Sequence, residues 1–293
     1  MMAYIRYTLL IAAALGLGTA AWAQSVTAGP LELISDQFRF TEGPAADEEG
    51  NVFFTDQPNN TIWKYDVHGT LSLFMDNAGR SNGLYVDGTG RLIACADERN
   101  QLWAIHPDGS VDTLITHYRD SLLNGPNDVW VSPTGAIYFT DPYYQRNYWT
   151  RTAPDIQQEA VYLYRNGQTT RLDADFDKPN GIIGSADGKL LYVADIGANK
   201  TYRYRVAADG SLTDKQLFVE QGSDGMALDS DGNLYLTGRG VTVYDRNGKK
   251  IEQIDVPAGW TANVCFGGPD RDFLFITASE KVFKIKTRTV GDR

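Results

Sequence analysis

The sequence predicts an all-β fold, a six-bladed β-propeller of four-stranded antiparallel blades, on three observations: a repeated phrase, its spacing and its internal register. The phrase occurs as EGPAADEEGNVFFTD, NGLYVDGTGRLIACAD, NDVWVSPTGAIYFTD, NGIIGSADGKLLYVAD, DGMALDSDGNLYLTG and NVCFGGPDRDFLFIT. Its copies begin at Glu42, Asn82, Asn127, Asn180, Asp224 and Asn263, so that starts lie 39 (224 to 263) to 53 (127 to 180) residues apart. Gly50, Gly90, Gly135, Gly188 and Gly232 fall eight residues after the first five starts, and Arg271 takes that place in the sixth. Val52, Leu92, Ile137, Leu190, Leu234 and Phe273 fall ten residues after each start. A solenoid or a sandwich is the competing architecture.

Taken in chain order, residues 1–23 stand apart. They hold one early positive charge, Arg6, an apolar stretch from Leu9 to Leu17, and Ala21-Trp22-Ala23 before Gln24. That pattern reads as a secretory signal cleaved after Ala23, its apolar run being too short to span a bilayer. The expected location is therefore periplasmic or secreted. Residues 24–293 then form a single propeller domain. Within it each copy is a hairpin: a short strand, a turn of Asp, Pro and Gly, and a strand rich in Val, Tyr, Phe and Leu. Third strands follow, such as TIWKYD, QLWAIHP and AVYLYRN, then turns such as HPDGS and AADGS, and fourth strands such as LSLFMD. The sixth copy stops after its third strand, KVFKIKT, and LELISD near the N-terminus is left to supply the missing outer strand and close the ring. One interruption, residues 142–159 (PYYQRNYWTRTAPDIQQE), is too long for a hairpin turn and suits a lid or wall over a pocket.

Charge narrows the partners. The chain carries 27 Lys and Arg against 37 Asp and Glu, a net −10, and loss of the leader removes only Arg6. An acidic, evenly mixed surface argues against nucleic acid and anionic membranes, and fits attraction of a cation. Cys95 and Cys265 form no C-x-x-C pair and read as two unpaired thiols.

The start positions carry the chemistry. In a propeller the innermost strand of each blade begins beside the axis, so all six starts project toward one centre, and all six bear a side-chain oxygen. Oxygen-only donors from several blades suit a hard divalent cation, which calcium accepts at flexible geometry. Magnesium, manganese and zinc are alternatives, although none of the three histidines, His68, His106 and His117, occupies a start. On composition alone an equally good reading is that these side chains only bind backbone groups at strand starts.

The motifs FTEGPA, LNGPNDVWV, DKPNGIIGSADGKLLYVAD, SDGMALDSDGNLYLTG and NVCFGGPDRDFLFITA together resemble the gluconolactonase/regucalcin (senescence marker protein) family, over Leu31 to Lys286. The resemblance implies one divalent cation at the channel mouth, with Glu42, Asn127, Asn180 and Asp224 as the metal positions. Some members leave the P-N-D asparagine nearer the substrate, so Asn127 is placed with both groups. The chain departs from the family at Gly125, where the regucalcin-like branch has arginine, near Gln145, where it has an acid, and in CADERNQLW. The resemblance implies a metal-dependent lactonase acting on a small-molecule lactone, most simply an aldonolactone. Asp224, or else Glu42, would take the proton of the attacking water, while Asn82, Asn127 and Tyr143 would hold substrate hydroxyls. Rival readings are an organophosphate or other ester hydrolase on the same site, and a non-catalytic propeller that calcium merely ties together. Serine chemistry has no support: no G-x-S-x-G occurs.

Overall fold

The computed structural model describes residues 25–292, so the leader lies outside the described residues. Six four-stranded antiparallel sheets form the blades. Blade 1 runs outward from Thr41–Ala46 through Val52–Asp56 and Thr61–Tyr65 to Leu71–Asp76. The inner strands of blades 2 to 6 are Ser81–Val86, Val129–Val131, Pro179–Gly184, Met226–Leu228 and Asn263–Gly267. The second strands begin at the expected residues, Val52, Leu92, Ile137, Leu190, Leu234 and Phe273, and only in blade 4 does the hairpin turn hold one extra residue, so that Leu191 and not Leu190 pairs with the end of the inner strand. The turn glycines have positive φ because the backbone reverses there, and Arg271, in the glycine place of the sixth copy, also adopts it (φ 51).

The ring closes as expected. Glu32–Ser35 adds to Lys281–Lys286 as the outer strand of blade 6, pairing Glu32 with Lys284 and Leu33 with Phe283. Glu252 ties the preceding segment down, its carboxylate accepting from the Val26 N–H and from the hydroxyls of Ser25 and Thr27. Blades adhere through buried apolar faces. Phe54 of blade 1 meets Phe275 of blade 6 at 5.4 Å between ring centroids. Trp130 and Tyr138 of blade 3 share a core with Leu191 and Val193 of blade 4. Full burial of each such side chain contributes about 1.5–3 kcal/mol.

Three devices fix the inner ends. Hydroxyls on second strands hold the next blade's start: Thr55 donates to the Asn82 carbonyl (3.1 Å) and Thr140 to the Asn180 carbonyl (2.7 Å). The residue after a start is glycine where blades touch most closely; a Cβ on Gly43 would lie 2.1 Å from the Asn82 carbonyl oxygen. Aspartates ending second strands cap the chain entering their own blade: Asp56 accepts from the N–H groups of Arg39 and Phe40, Asp141 from Asn124 and Gly125, and Asp195 from Asp177 and Lys178. Cys95 and Cys265, on blades 2 and 6, are free thiols.

Candidate functional site

Of the six starts, Glu42, Asn82, Asn127, Asn180 and Asn263 are buried, and Asp224 is partly exposed at the mouth. Two linked groups of them surround the axis. Asn180 donates through Nδ2 to Asp224 Oδ1 (2.8 Å), joining blades 4 and 5, and the Trp260 indole N–H donates to Asp224 Oδ2 (2.6 Å). On the other side, Asn263 interacts with both Glu42 and Asp128. Glu42 Oε2 accepts from the Gly43 N–H (2.8 Å). Glu42 lies close enough to Asp224 for each charge to disfavour the other. Asn127 is held by its backbone, its N–H donating to the Thr140 carbonyl (2.9 Å) and its carbonyl accepting from Gly83 (2.7 Å). Behind Asp128 and Asn263 a cavity of about 510 Å³ continues along the inner strands, past Val86, Gly184, Leu228 and Phe266.

The electrostatics are those of carboxylates crowded out of water. Burial first, then the charges of Asp224 and Asp128, push the Glu42 carboxyl well up from its ordinary value. Asp224 is pushed up to about 6 by burial, against the opposing hydrogen bonds of Trp260 and Asn180 and the charge of Arg146. Burial likewise raises Asp128 to about 7.

Crowded carboxylates of this kind favour a positive ion beside them. Asn180 has both Nδ2 hydrogens engaged, and its Oδ1 is buried without a hydrogen-bond partner, as is Oδ1 of Asn82. Unpaired buried acceptors cost free energy and call for a ligand. Among the described residues no three His, Cys, Asp or Glu side chains form a metal cluster. The donor set is instead two carboxylates, Glu42 and Asp224, with amide oxygens. That all-oxygen chemistry fits calcium better than zinc.

The insertion folds over this mouth. Ile156 is buried in the core between blades 2 and 3, and Asn124 donates to the Gln158 carbonyl (3.3 Å). Tyr143 turns its hydroxyl to Gln145 and its ring toward Trp149 and Arg151. It is the next residue, Tyr144, that reaches the site, its hydroxyl oxygen accepting from Asn180 Nδ2 (3.1 Å). Gly125 has no room for a side chain, because a Cβ would lie 2.8 Å from Asp97 Oδ1 and 3.0 Å from the Trp149 ring. Trp260, Tyr144 and Asp128 were not among the residues expected from sequence. The first two come from segments outside the repeated phrase, where no register marks them, and only Asp128 had a cue, in P-N-D beside Asn127.

Comparison with known proteins places the chain in one family and one fold. A family model described as the SMP-30/gluconolactonase/LRE-like region matches residues 40–280. The chain is 27% identical to a gluconolactonase of Zymomonas mobilis, over 89% of this chain and 82% of that one. It is 24% identical to a pentonolactonase of Haloferax volcanii, over 84% of each. Among solved structures, a gluconolactonase of Xanthomonas campestris superposes with a TM-score of 0.81 at 29% identity, over 88% of this chain and 89% of that one.

Proposed function

The chain belongs to the SMP-30/gluconolactonase/LRE-like family, and from that membership we propose that it hydrolyses lactones, with a sugar lactone as substrate. The reading includes one divalent cation, calcium first, held by Glu42, Asn180 and Asp224, with Asn127 beside it. Lactonase relatives of both hexose and pentose type support the reaction class. The observation that carries the site is the meeting of Asn180 and Asp224 from different blades, with the Asn180 oxygen buried and unpaired.

Bound there, the cation would supply Lewis acidity at the lactone carbonyl. The protein's own groups do the rest. Water adds to the carbonyl carbon, the ring C–O bond breaks, and the water's proton passes to the alkoxide that leaves. Asp224 is the group placed to carry that proton, since Trp260 and Asn180 hold both of its oxygens in a fixed orientation. Burial brings it nearer neutrality than an ordinary aspartate. Glu42, more deeply buried, is the second candidate. Asn82 and Asn127, the starts of blades 2 and 3, would hold ring hydroxyls.

The test is a pH-indicator screen of five- and six-membered sugar lactones after stripping with chelator, then with calcium, magnesium, manganese or zinc restored. Acid release with at least one cation and none without is the expected result. No turnover of any lactone with any cation overturns the reading, and a phosphotriester panel run alongside detects the rival hydrolase. Export belongs to the same proposal: sequencing protein from the periplasmic fraction should find Gln24 at its N-terminus, and an intact Met1 would contradict it.

A further inference from the structure

We propose that Tyr144 is a substrate-binding residue of this site and that Asp97 is the positioning residue that keeps it there. The inference rests on the lactone-hydrolase reading and extends it to the wall of the pocket. The Asn180 amide has two hydrogens, and they go to Asp224 Oδ1 (2.8 Å) and to the Tyr144 oxygen (3.1 Å). A phenol has one hydrogen, and accepting from Asn180 leaves it free to donate. Among the described residues no acceptor takes it. The group is partly exposed at the mouth. A lactone rich in hydroxyl, ring and carbonyl oxygens is the ligand such a donor fits. The same pair of bonds turns the Asn180 oxygen away from both partners, where it is buried and unpaired.

Asp97 explains why a strandless segment holds Tyr144 in place. In blades 1, 3 and 4 the aspartate that ends the second strand, Asp56, Asp141 or Asp195, caps the backbone entering its own blade, whereas Ala96 holds that place in blade 2. Asp97 Oδ2 accepts from Arg146 Nε (2.8 Å) and from the Tyr148 hydroxyl (2.6 Å), and its carbonyl accepts from the Trp149 indole N–H (2.9 Å). Arg146 and Lys178 then lie over the Tyr144 ring, 5.6 and 4.6 Å from its centroid. Blade 2 thus lacks the capping carboxylate, and Asp97, one residue further on, serves the wall.

The test compares the mature chain with Tyr144→Phe, Asp97→Asn and the double variant. KM and kcat are measured on D-glucono-1,5-lactone and on the best lactone of the screen, and calcium affinity by calorimetry. Tyr144→Phe should raise KM about tenfold, the effect of one lost hydrogen bond, with kcat changed less. It should also weaken calcium binding about twofold to tenfold, because Asn180 loses one of its two tethers. Asp97→Asn should raise KM similarly, the double variant no further than Tyr144→Phe alone, and trypsin should cut after Arg146 or Arg151 faster in the two variants that carry Asp97→Asn and not in Tyr144→Phe. Should Asp97→Asn not fold, Tyr148→Phe tests the anchor by removing one donor. A KM within twofold of wild type in Tyr144→Phe overturns the substrate role, and additive effects in the double variant overturn the shared wall. If wild type opens no lactone, the hydrolase reading falls by itself. Unchanged calcium affinity in Tyr144→Phe would then overturn the hold on Asn180 as well.

Discussion

Asp224 concentrates the site's demands on one side chain: one oxygen takes Asn180, the other Trp260, and burial raises its pKa to about 6. Replacing it with asparagine keeps the shape and removes the charge. Asp224→Asn should therefore melt within a few degrees of chelated wild type yet lose at least about a hundredfold in kcat, as loss of a positioned acid–base group does. A folded Asp224→Asn protein with near-normal turnover would contradict the assignment. Trp260→Phe is a finer probe. The indole N–H lowers the Asp224 pKa, so removing it raises that pKa, and the acid limb of kcat/KM should move to higher pH. A limb that stays put or moves to lower pH would show that Asp224 does not control it. At this scale the sequence was informative only where the repeat pointed: Glu42, Asn180 and Asp224 stood at equivalent places. Trp260 and Tyr144 did not, because a loop residue becomes part of a site through the path of its loop, which no periodicity records.

At the scale of the strand, what the sequence made legible is the hairpin register, down to the residue that begins each second strand. The cause is physical, since a one-residue slip would turn every side chain to the opposite face of the blade. Less legible was how tightly the inner strands approach one another. A Cβ on Gly225 would lie 1.9 Å from the Asn263 side chain, and one on Gly43 would meet the backbone of blade 2. Gly225→Ala should thus destabilise the protein by about 1–3 kcal/mol, as overpacking does, and weaken calcium binding by displacing Asn263 from beside Glu42. Urea unfolding and calorimetry check the two effects. A neutral result in both would mean that blades 5 and 6 can slide apart freely. The caps follow the same logic. Aspartate ends the second strands of blades 1, 3 and 4, and only the structure reveals that Asp97, one residue past the end of the blade 2 strand, faces Arg146 and Tyr148 in place of the entering backbone.

For the molecule as a whole, the buried carboxyls set how stability depends on pH. Burial pushes Asp128 and Asp141 from 3.8 up to about 7 in the folded chain. The unfolded chain releases these protons near 3.8, the folded chain only near 7, so the folded state binds more protons between the two. Stability of the chelated protein should fall as pH rises through that window, by up to about 1.4 kcal/mol per pH unit for each group, and level off above it. Urea denaturation at a series of pH values tests this, and stability that rises with pH would refute it. Saturating calcium should add about 2.7 kcal/mol at a hundred times its dissociation constant, seen as a higher melting temperature that chelator reverses.

The joint between first and last blades passes beside the acids. The Thr41 hydroxyl donates to the Lys281 carbonyl (2.8 Å) and accepts from the Ala278 N–H (3.1 Å), one residue before Glu42. Glu42 belongs to blade 1 and Asp224 to blade 5, so the two should face one ion only with this joint shut, and ion capture should double as a gauge of circularisation. Terbium, a luminescent stand-in for calcium that Trp260 can excite from its place against Asp224, should glow in the whole mature protein. It should dim when residues 25–35 are removed, even while the remaining blades keep their β signature.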